Sequence, residues 1–381
     1  MLASVEKGIL HSIQTPFTKV KMNRITIASI NQVLDRCLPI IKRFIPEKNT
    51  SPSVGLDIGI GSCKLVELVK SSSSYELLTC AIKPMEKGDV PGTIKKILAH
   101  LKVPTKSLFT AVFGKGTLIR YIDMPRMSLE ELKKSFLVEA DKYFPFPKDQ
   151  IYMDCYILDP NGSDKKMSVL VAVTKKEIID ERIKLLTDLG LQTNFIGINS
   201  VALANAFNVL SVSRNASTLN ESSVIAILDL GDAVSHLMIL INHLPRFNRD
   251  IFVGGRHLTQ EISSGLGVSL QEAEVLKCQP GNRAQEILNA CESNLTNLVS
   301  NLRLSFDYFI TEKNSQISKL LLTGGASLFE GLDGFLAKNL EMPVEKWDPI
   351  PSLKLTPDIS IEELRKNACK LGVALGLALY Q

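Results

Sequence analysis

The chain has 381 residues, of which 45% are hydrophobic and 22% charged, a composition typical of folded globular proteins. This length accommodates two ordinary domains or one bilobal one. No stretch reaches the roughly 18 to 20 apolar residues of a membrane-spanning helix, and the first residues lack the pattern of a cleavable export signal. The seven cysteines form no closely spaced pair, which favours reduced thiols in a cytosolic protein over a zinc or disulfide framework.

Residues 1–50 carry most of the excess positive charge. They hold eight Lys and Arg against three acids, while the whole chain has a net charge of +4. From Ile30 to Phe44 the apolar positions keep helical spacing, which Pro39 interrupts. This basic amphipathic segment could pack on its own protein, contact an anionic membrane or a partner helix, or remain disordered. The sequence leaves these three interpretations open.

Two strand meanders recur along the rest of the chain. The first strand of each ends in Asp-x-Gly, at Asp57 and at Asp229. The repeat predicts a duplicated α/β unit, with two similar lobes and a cleft between them. The strands are expected at 54–58, 63–69, 75–83, 224–230, 235–241 and 245–252.

Helix signals are clear in the passage between the two meanders. Ser128 and Glu131 have the spacing of a capping box and predict a helix over 128–144. A second helix is predicted over 176–190, with Gly190 at its C-terminal cap.

The turn 57-DIGIGSCK-64 is suited to binding an anion. Its small residues allow backbone N–H groups from Gly59 to Cys63 to approach phosphates closely, and Lys64 adds a positive charge. A carboxylate beside a triphosphate is repulsive unless a cation lies between them. Asp57 therefore implies Mg²⁺ held through water, because this ion retains most of its hydration shell. Asp229 would reach the same ion from the other lobe.

A third element, 319-KLLLTGGASLFEGLDGFLAKNL-340, runs from an apolar strand through Thr-Gly-Gly-Ala into a helix. Gly324 and Gly325 leave room for an adenine or a ribose against the backbone. A Walker-type phosphate loop is absent from the sequence.

These three elements in this order resemble the actin-like ATPase superfamily. The two acidic turns are similar to its phosphate motifs, and 322-LTGGAS-327 is similar to its adenosine motif. Within the superfamily the chain is most similar to the PilM family of type IV pilus assembly, and more distantly to FtsA. The segments that carry this likeness include 119-IRYIDMP-125, 139-EADKYFPFP-147, 254-GGRHLTQEI-262, 273-AEVLK-277 and 372-GVALGLAL-379.

The resemblance implies an α/β, actin-like ATPase fold with a small inserted subdomain of the FtsA and PilM type. It also implies the division of the chain. The expected parts are a basic extension at 1–50, the first lobe at 51–83 and 167–215, the inserted subdomain at 84–166, the second lobe at 222–360 with a helical subdomain at about 256–318, and a C-terminal helix at 361–381 that returns to the first lobe.

ATP and Mg²⁺ are the cofactors that the resemblance implies, with Asp57 and Asp229 facing the ion through water. The residues expected to bind the nucleotide lie on the three turns and on a helix that contains the segment 273-AEVLK-277. They are Asp57, Gly59, Gly61, Ser62, Cys63, Lys64, Asp229, Gly231, Asp232, Ala233, Glu274, Lys277, Gly324, Gly325 and Ala326.

For catalysis the resemblance suggests Asp232 and His236, which would lie near the attacking water or the metal. A hydrogen-bonded structural histidine is the alternative for His236. Gly197 and Asn199 stand where relatives carry acids, so we expect ATP hydrolysis to be slow or absent.

The expected partner is the cytoplasmic N-terminal peptide of a PilN-like bitopic inner-membrane protein. The protein would then be a cytoplasmic platform, peripheral to the inner membrane, in a pilus or a related secretion or competence system. The alternative is an FtsA-like polymerising membrane tether anchored through residues 1–50, and self-association is compatible with both. Nucleic acid is not expected, because the basic segment lacks interleaved aromatic residues. Candidate peptide contacts are Phe113, Arg120, Tyr121, Tyr143, Phe144 and Phe146, of which the last three could instead form the core of the subdomain.

Overall fold

The computed structural model describes residues 51–71, 74–86, 88–160, 165–212 and 223–380. The basic segment at 1–50, with its three open interpretations, lies outside this range. Among the described helices none is long and apolar enough to cross a membrane.

A six-stranded sheet forms the first lobe, in the order β14-β3-β2-β1-β4-β8. Strands β1, β2 and β3 make the predicted antiparallel meander, and β4 and β8 continue the sheet in parallel with β1. The bounds are β1 (Ser53–Ile58), β2 (Ser62–Lys70), β3 (Tyr75–Pro84), β4 (Ser107–Val112), β8 (Gln192–Ile198) and β14 (Leu353–Leu355).

The second lobe repeats this arrangement in a five-stranded sheet, in the order β11-β10-β9-β12-β13. Its first three strands form the second predicted meander, and β12 runs parallel to β9 as β4 does to β1. The predicted duplication is therefore confirmed at the level of strand order. The bounds are β9 (Val224–Leu230), β10 (Ser235–Ile241), β11 (Leu244–Ile251), β12 (Lys319–Thr323) and β13 (Val344–Lys346).

A three-stranded sheet, β5 (Thr117–Pro125), β6 (Ile151–Ile157) and β7 (Lys166–Lys175), forms the small subdomain together with helix α2 (Leu129–Tyr143). Its bounds differ from the predicted 84–166. Helix α1 (Val90–Leu98) and β4 belong to the first lobe, whereas β7 belongs to the small sheet. Between β4 and β5 lie Gly114 and Gly116, whose φ angles of 87° and 97° end β4 and redirect the chain.

The remaining helices cover the sheets. The predicted capping box is confirmed at the start of α2, where the Ser128 side chain accepts a hydrogen bond from the Glu131 amide and the Glu131 carboxylate accepts one from the Ser128 amide. Gly190 ends α3 with a φ of 73°, as predicted. The helices are α3 (Lys176–Asp188), α4 (Asn199–Val212), α5 (Gly255–Leu266), α6 (Leu270–Cys278), α7 (Ala284–Ala290), α8 (Glu292–Lys313), α9 (Leu332–Leu340), α10 (Ile361–Asn367) and α11 (Gly372–Ala378).

Helix α11 is completely buried and packs against both β1 and α4. Two glycines make this approach possible. A Cβ atom added to Gly376 would lie 1.7 Å from the carbonyl oxygen of Ala202, and one added to Gly55 would lie 2.1 Å from that of Ala374. The C-terminal helix thus joins the sheet of the first lobe to α4 through direct backbone contact.

Candidate functional site

The first acidic turn places a carboxylate and an ammonium group side by side. Asp57 on β1 is the register partner of Lys64 on β2, and Asp57 Oδ2 lies 3.0 Å from Lys64 Nζ. A Cβ atom added to Gly59 would lie 3.0 Å from the same Nζ, so the glycine leaves space for the ammonium group. The seven-residue spacing from Asp57 to Lys64 is therefore the length of one tight hairpin.

The groups around Lys64 keep its ammonium group charged. Burial by itself lowers the pKa of this ammonium group, but the attraction and hydrogen bond of Asp57, with Asp229 farther away, outweigh burial and raise the pKa above its ordinary value. Lys64 therefore offers a fixed positive charge beside the turn.

The second acidic turn has the same geometry, with His236 in place of the lysine. Asp229 is the register partner of His236, and the Nδ1 atom of His236 lies 2.7 Å from Oδ1 of Asp250. The ring of Phe113, from the first lobe, meets the His236 ring edge-on at 5.7 Å. Burial raises the pKa of Asp229, although an ionised His236 and Lys64 act against this.

The two turns face each other across a cleft of about 390 Å³. A Cβ atom added to Gly61 of the first turn would lie 2.9 Å from Cβ of Asp232 in the second. The structure brings every predicted nucleotide-binding residue to this cleft except one. Cys63 is fully buried in the core of the first lobe, where burial raises the pKa of its thiol to about 12. The Cys63 side chain therefore does not line the cleft, and the predicted role of its backbone N–H group stays a prediction.

The third turn completes the floor of the cleft. Gly324 has a φ of 86°, and a Cβ atom there would lie 2.4 Å from Oδ1 of Asp229, so only glycine fits between the third turn and the second. A Cβ atom on Gly325 would meet nothing within 4 Å. Gly325 thus borders open space in the cleft.

Glu274 and Lys277 lie one turn apart on α6 and differ sharply in burial. Lys277 is 2% exposed, and its Nζ atom lies 2.6 Å from Oε2 of Glu274 and 2.8 Å from Oγ1 of Thr259. Burial tends to raise the pKa of Glu274, but the charge and hydrogen bond of Lys277, with help from the hydrogen bond of Thr259, outweigh it and lower that pKa. The buried Lys277 fixes the half-exposed carboxylate of Glu274 at the edge of the cleft. The pair therefore does not lie on a solvent-exposed face of the helix.

The two predicted catalytic side chains are already engaged. Asp232 forms an ion pair with Arg256, and His236 is hydrogen-bonded to Asp250. Asn199 lines the cleft, and its Oδ1 atom has no hydrogen-bond partner. The sequence did not single out Arg256 as the partner of Asp232, although it lies within the family-like segment 254–262.

The His236–Asp250 pair predicts a specific dependence of stability on pH. Burial lowers the pKa of His236, but the hydrogen bond and charge of Asp250 outweigh burial and raise it above the ordinary value of 6.5. Because the folded-state pKa is raised, the stabilisation is present below pH 6.5 and is lost as the pH rises through the folded value. We therefore expect the difference in unfolding free energy between wild type and Asp250→Asn to be largest at acidic pH. Denaturant unfolding from pH 5.5 to 9 measures it.

The exposed Asp141 provides the control for this series. Asp141→Asn should leave the pH profile of the unfolding free energy parallel to that of the wild type. A profile of Asp250→Asn that is also parallel would contradict the proposed ionised pair.

A second concave surface, called the groove here, lies between the small subdomain and the first lobe. Its volume is about 620 Å³. Tyr152 and Tyr156 of β6 are 47% and 64% exposed, and Phe195 of β8 is 39% exposed; all three line the groove. Leu244 and Pro245 of the second lobe also contribute to its wall. Apolar surface of this kind is characteristic of a binding site.

The six predicted peptide contacts lie elsewhere. Tyr143, Phe144 and Phe146 pack into the core of the small subdomain, which is the alternative that the sequence left open. Phe113 lines the cleft, and Tyr121 packs in a small interior cluster. Arg120 is exposed on β5. None of the six lines the groove.

Direct metal chelation by the protein has little support among the described residues. No group of three or more His, Cys, Asp or Glu side chains there is placed to hold an ion. Asp57 and Asp229 nevertheless both line the cleft, from opposite lobes.

Two lobes with matching strand order, and acidic turns that meet across a cleft, define the actin-like ATPase fold. A solved structure of a PilM-PilN type IV pilus biogenesis complex matches with a TM-score of 0.75 at 24% identity, covering 86% of this chain and 97% of that chain. The ethanolamine utilization protein EutJ from Carboxydothermus hydrogenoformans matches with a TM-score of 0.52 at 14% identity, covering 92% of this chain and 99% of that chain.

The chain belongs to the family described as Type IV pilus assembly protein PilM, which matches residues 55–381. The family resemblance noted in the sequence is thus confirmed.

Proposed function

We propose that this protein is an ATP-binding platform of type IV pilus assembly, or of a related secretion or competence system, that binds the cytoplasmic N-terminal peptide of a PilN-like inner-membrane protein. The observation that carries the proposal is the convergence of two acidic turns and a glycine turn on one cleft, beside a separate apolar groove. Membership of the PilM family supports both parts.

The residues of the cleft fit ATP and Mg²⁺. The backbone amides of the turns at 59–62 and 231–233 would hold the phosphates, and Lys64 would turn from Asp57 towards them. Bound Mg²⁺ would neutralise phosphate charge, with Asp57 and Asp229 facing it through water. Glu274, fixed by Lys277, would meet the ribose. The open space beside Gly325 would take the base.

The proposed role depends on binding ATP more than on hydrolysing it. Asp232 and His236 are paired with Arg256 and Asp250, so neither is a free general base. Asn199 takes the place of an expected acid at the edge of the cleft. We propose slow turnover, with binding energy that selects one arrangement of the lobes.

The groove fits an extended apolar peptide. It is bordered by β6 and β8, which are edge strands of the small sheet and of the first-lobe sheet. Edge strands offer unpaired backbone groups to an added strand, and Tyr152, Tyr156 and Phe195 offer aromatic contacts. A platform that captures such a peptide would work in the cytoplasm, peripheral to the inner membrane.

The peptide site can be tested with a labelled synthetic peptide that copies the cytoplasmic N-terminus of the PilN-like partner. We expect Tyr156→Ala to weaken binding by about tenfold, because buried aromatic anchors typically contribute more than about 1 kcal/mol. Fluorescence anisotropy measures the affinity.

Val138 provides a matched control, because it is 75% exposed in the same subdomain but lies outside the groove. Val138→Ala should bind the peptide like the wild type. Equal binding by Tyr156→Ala and Val138→Ala would exclude the groove as the peptide site.

A further inference from the structure

Arg182 of α3 places a second cation behind the first acidic turn. Its Nη1 atom donates a hydrogen bond of 2.8 Å to the carbonyl oxygen of Ala111 and one of 3.2 Å to Oγ1 of Thr110. Both acceptors belong to β4, and Arg182 is half-buried. Arg182 is not among the described residues that line the cleft. It therefore approaches the turn from within the first lobe.

Thr110 connects this guanidinium group to the strand that carries Asp57. Thr110 is fully buried, and its hydroxyl donates a hydrogen bond of 2.8 Å to the carbonyl oxygen of Leu56. Because the single hydrogen of the hydroxyl is used in that bond, its oxygen is left to accept from Arg182. Leu56 is also the register partner of Thr110 in the parallel pairing of β1 with β4. Arg182 is therefore held beside the residue that precedes Asp57.

Two cations act on the carboxylate of Asp57. Burial lowers the pKa of the Arg182 guanidinium group, and the attraction of Asp57 is the strongest effect that opposes burial. The same carboxylate lies 3.0 Å from the ammonium group of Lys64, which lines the cleft. Asp57 thus has Lys64 on its cleft side and Arg182 behind it.

The second cation matters because Lys64 has two anionic partners in the proposed complex. When Lys64 turns towards the phosphates, it leaves a carboxylate that is only 5% exposed. A buried charge that loses its partner is strongly destabilising. Arg182 stays in place, because two hydrogen bonds hold it on β4. Its positive charge would then offset the carboxylate that Lys64 has left.

Resting on the proposed function, we infer that Arg182 is a positioning residue for nucleotide binding. It compensates the charge of Asp57 whenever Lys64 contacts the phosphates, so that Lys64 is free to leave the carboxylate. The charge of the guanidinium group is what contributes, and the hydrogen bonds to Thr110 and Ala111 place that charge. Arg182 acts through Asp57 and Lys64, without contacting the nucleotide.

The test compares the dissociation constants of ATP–Mg²⁺ for variants of the full chain, measured by titration calorimetry. Arg182→Gln keeps a hydrogen-bond donor for β4 but removes the charge. We expect it to bind at least about tenfold more weakly than the wild type, near the lower end of the couplings measured between close charges. Arg182→Lys keeps the charge and should restore most of the affinity.

Two further variants separate the charge from its surroundings. Thr110→Val removes the hydroxyl link to Leu56 and keeps the charge of Arg182, so its affinity should remain close to that of the wild type. Lys184→Met removes an exposed positive charge from the same helix and should also bind ATP–Mg²⁺ like the wild type. Thermal unfolding verifies that each variant is folded.

Equal affinity of Arg182→Gln and a wild type that binds ATP–Mg²⁺ would overturn the role of Arg182 and leave the proposed function intact. Equal losses in Arg182→Gln, Arg182→Lys and Thr110→Val would do the same, because they would reduce Arg182 to a structural link. If Arg182→Gln does not fold, Arg182→Lys and Thr110→Val still decide, since both keep the charge and weakened binding by both contradicts the inference. Failure of the wild type to bind ATP–Mg²⁺ would instead overturn the proposed function.

Discussion

Replacing Asp57 and Lys64 together by alanine should remove high-affinity binding of ATP–Mg²⁺. Lys64 provides the fixed positive charge at the first turn, and in the proposed complex Asp57 would provide one of the two carboxylates that face the cation. Hydrogen bonds to charged groups contribute about 1.5 to 3 kcal/mol each, so the loss of both should weaken binding at least about 100-fold. Titration calorimetry of the wild type and the double variant measures this difference.

The double substitution is preferable to either single one. Asp57 and Lys64 form a largely buried ion pair, and removal of one partner would leave an uncompensated charge that destabilises the lobe. The pair of Lys96 and Glu86, whose charged atoms lie 2.6 Å apart on the exposed surface of the first lobe, provides a matched control. Lys96→Ala with Glu86→Ala should bind ATP–Mg²⁺ like the wild type.

Two results would contradict the proposed binding of nucleotide in the cleft. Wild-type affinity in the Asp57→Ala, Lys64→Ala variant, with its folding verified by thermal unfolding, would show that the turns do not hold the phosphates. No saturable binding in the wild type would leave a platform that acts through the groove alone.

The meanders and the facing turns could be predicted because their signals are local. In each meander an apolar stretch of strand length ends in Asp-x-Gly and is followed by a second such stretch, which specifies a hairpin whose register is fixed by its short turn. The pairing of Asp57 with Lys64, and of Asp229 with His236, then follows from that register. The same alternation explains why the Cys63 side chain does not line the cleft. Neighbouring residues on a strand face opposite sides, so a Lys64 that faces the cleft requires Cys63 to face the core.

The groove that we propose as the peptide site could not be located from sequence in the same way. Its walls come from β6, β8 and the β10–β11 hairpin, which lie far apart in the chain and meet only through tertiary packing. The sequence instead suggested the aromatic residues at 143–146 as peptide contacts. A small subdomain must bury its largest side chains to form a core at all, and these residues belong to that core. A weaker signal was present in β6. Tyr152 and Tyr156 occupy the polar side of an alternating strand, where large aromatic residues are unexpected.

The substitution Gly376→Ala should cause a large loss of stability. The added Cβ atom would lie 1.7 Å from the carbonyl oxygen of Ala202, and both groups belong to buried helices that cannot yield by a side-chain rotation. Overpacking of a core usually costs about 1 to 3 kcal/mol, and a contact between two backbones should reach or exceed the upper value. Denaturant unfolding should therefore show a decrease of about 3 kcal/mol or more, or a failure to accumulate folded protein.

Gly334, on helix α9, separates this packing effect from the general effect of alanine in a helix. A Cβ atom there would meet nothing within 4 Å, so Gly334→Ala should keep or raise stability, by up to about 1 kcal/mol, through higher helix propensity. Equal stability of the two variants would contradict the close packing of α11 on α4. A loss of stability in Gly376→Ala but not in Gly334→Ala would instead show that the packing of the C-terminal helix on β1 and α4 depends on glycine. This packing lies directly behind the strand β1 that carries Asp57 into the cleft, so the geometry of the first acidic turn depends on it as well.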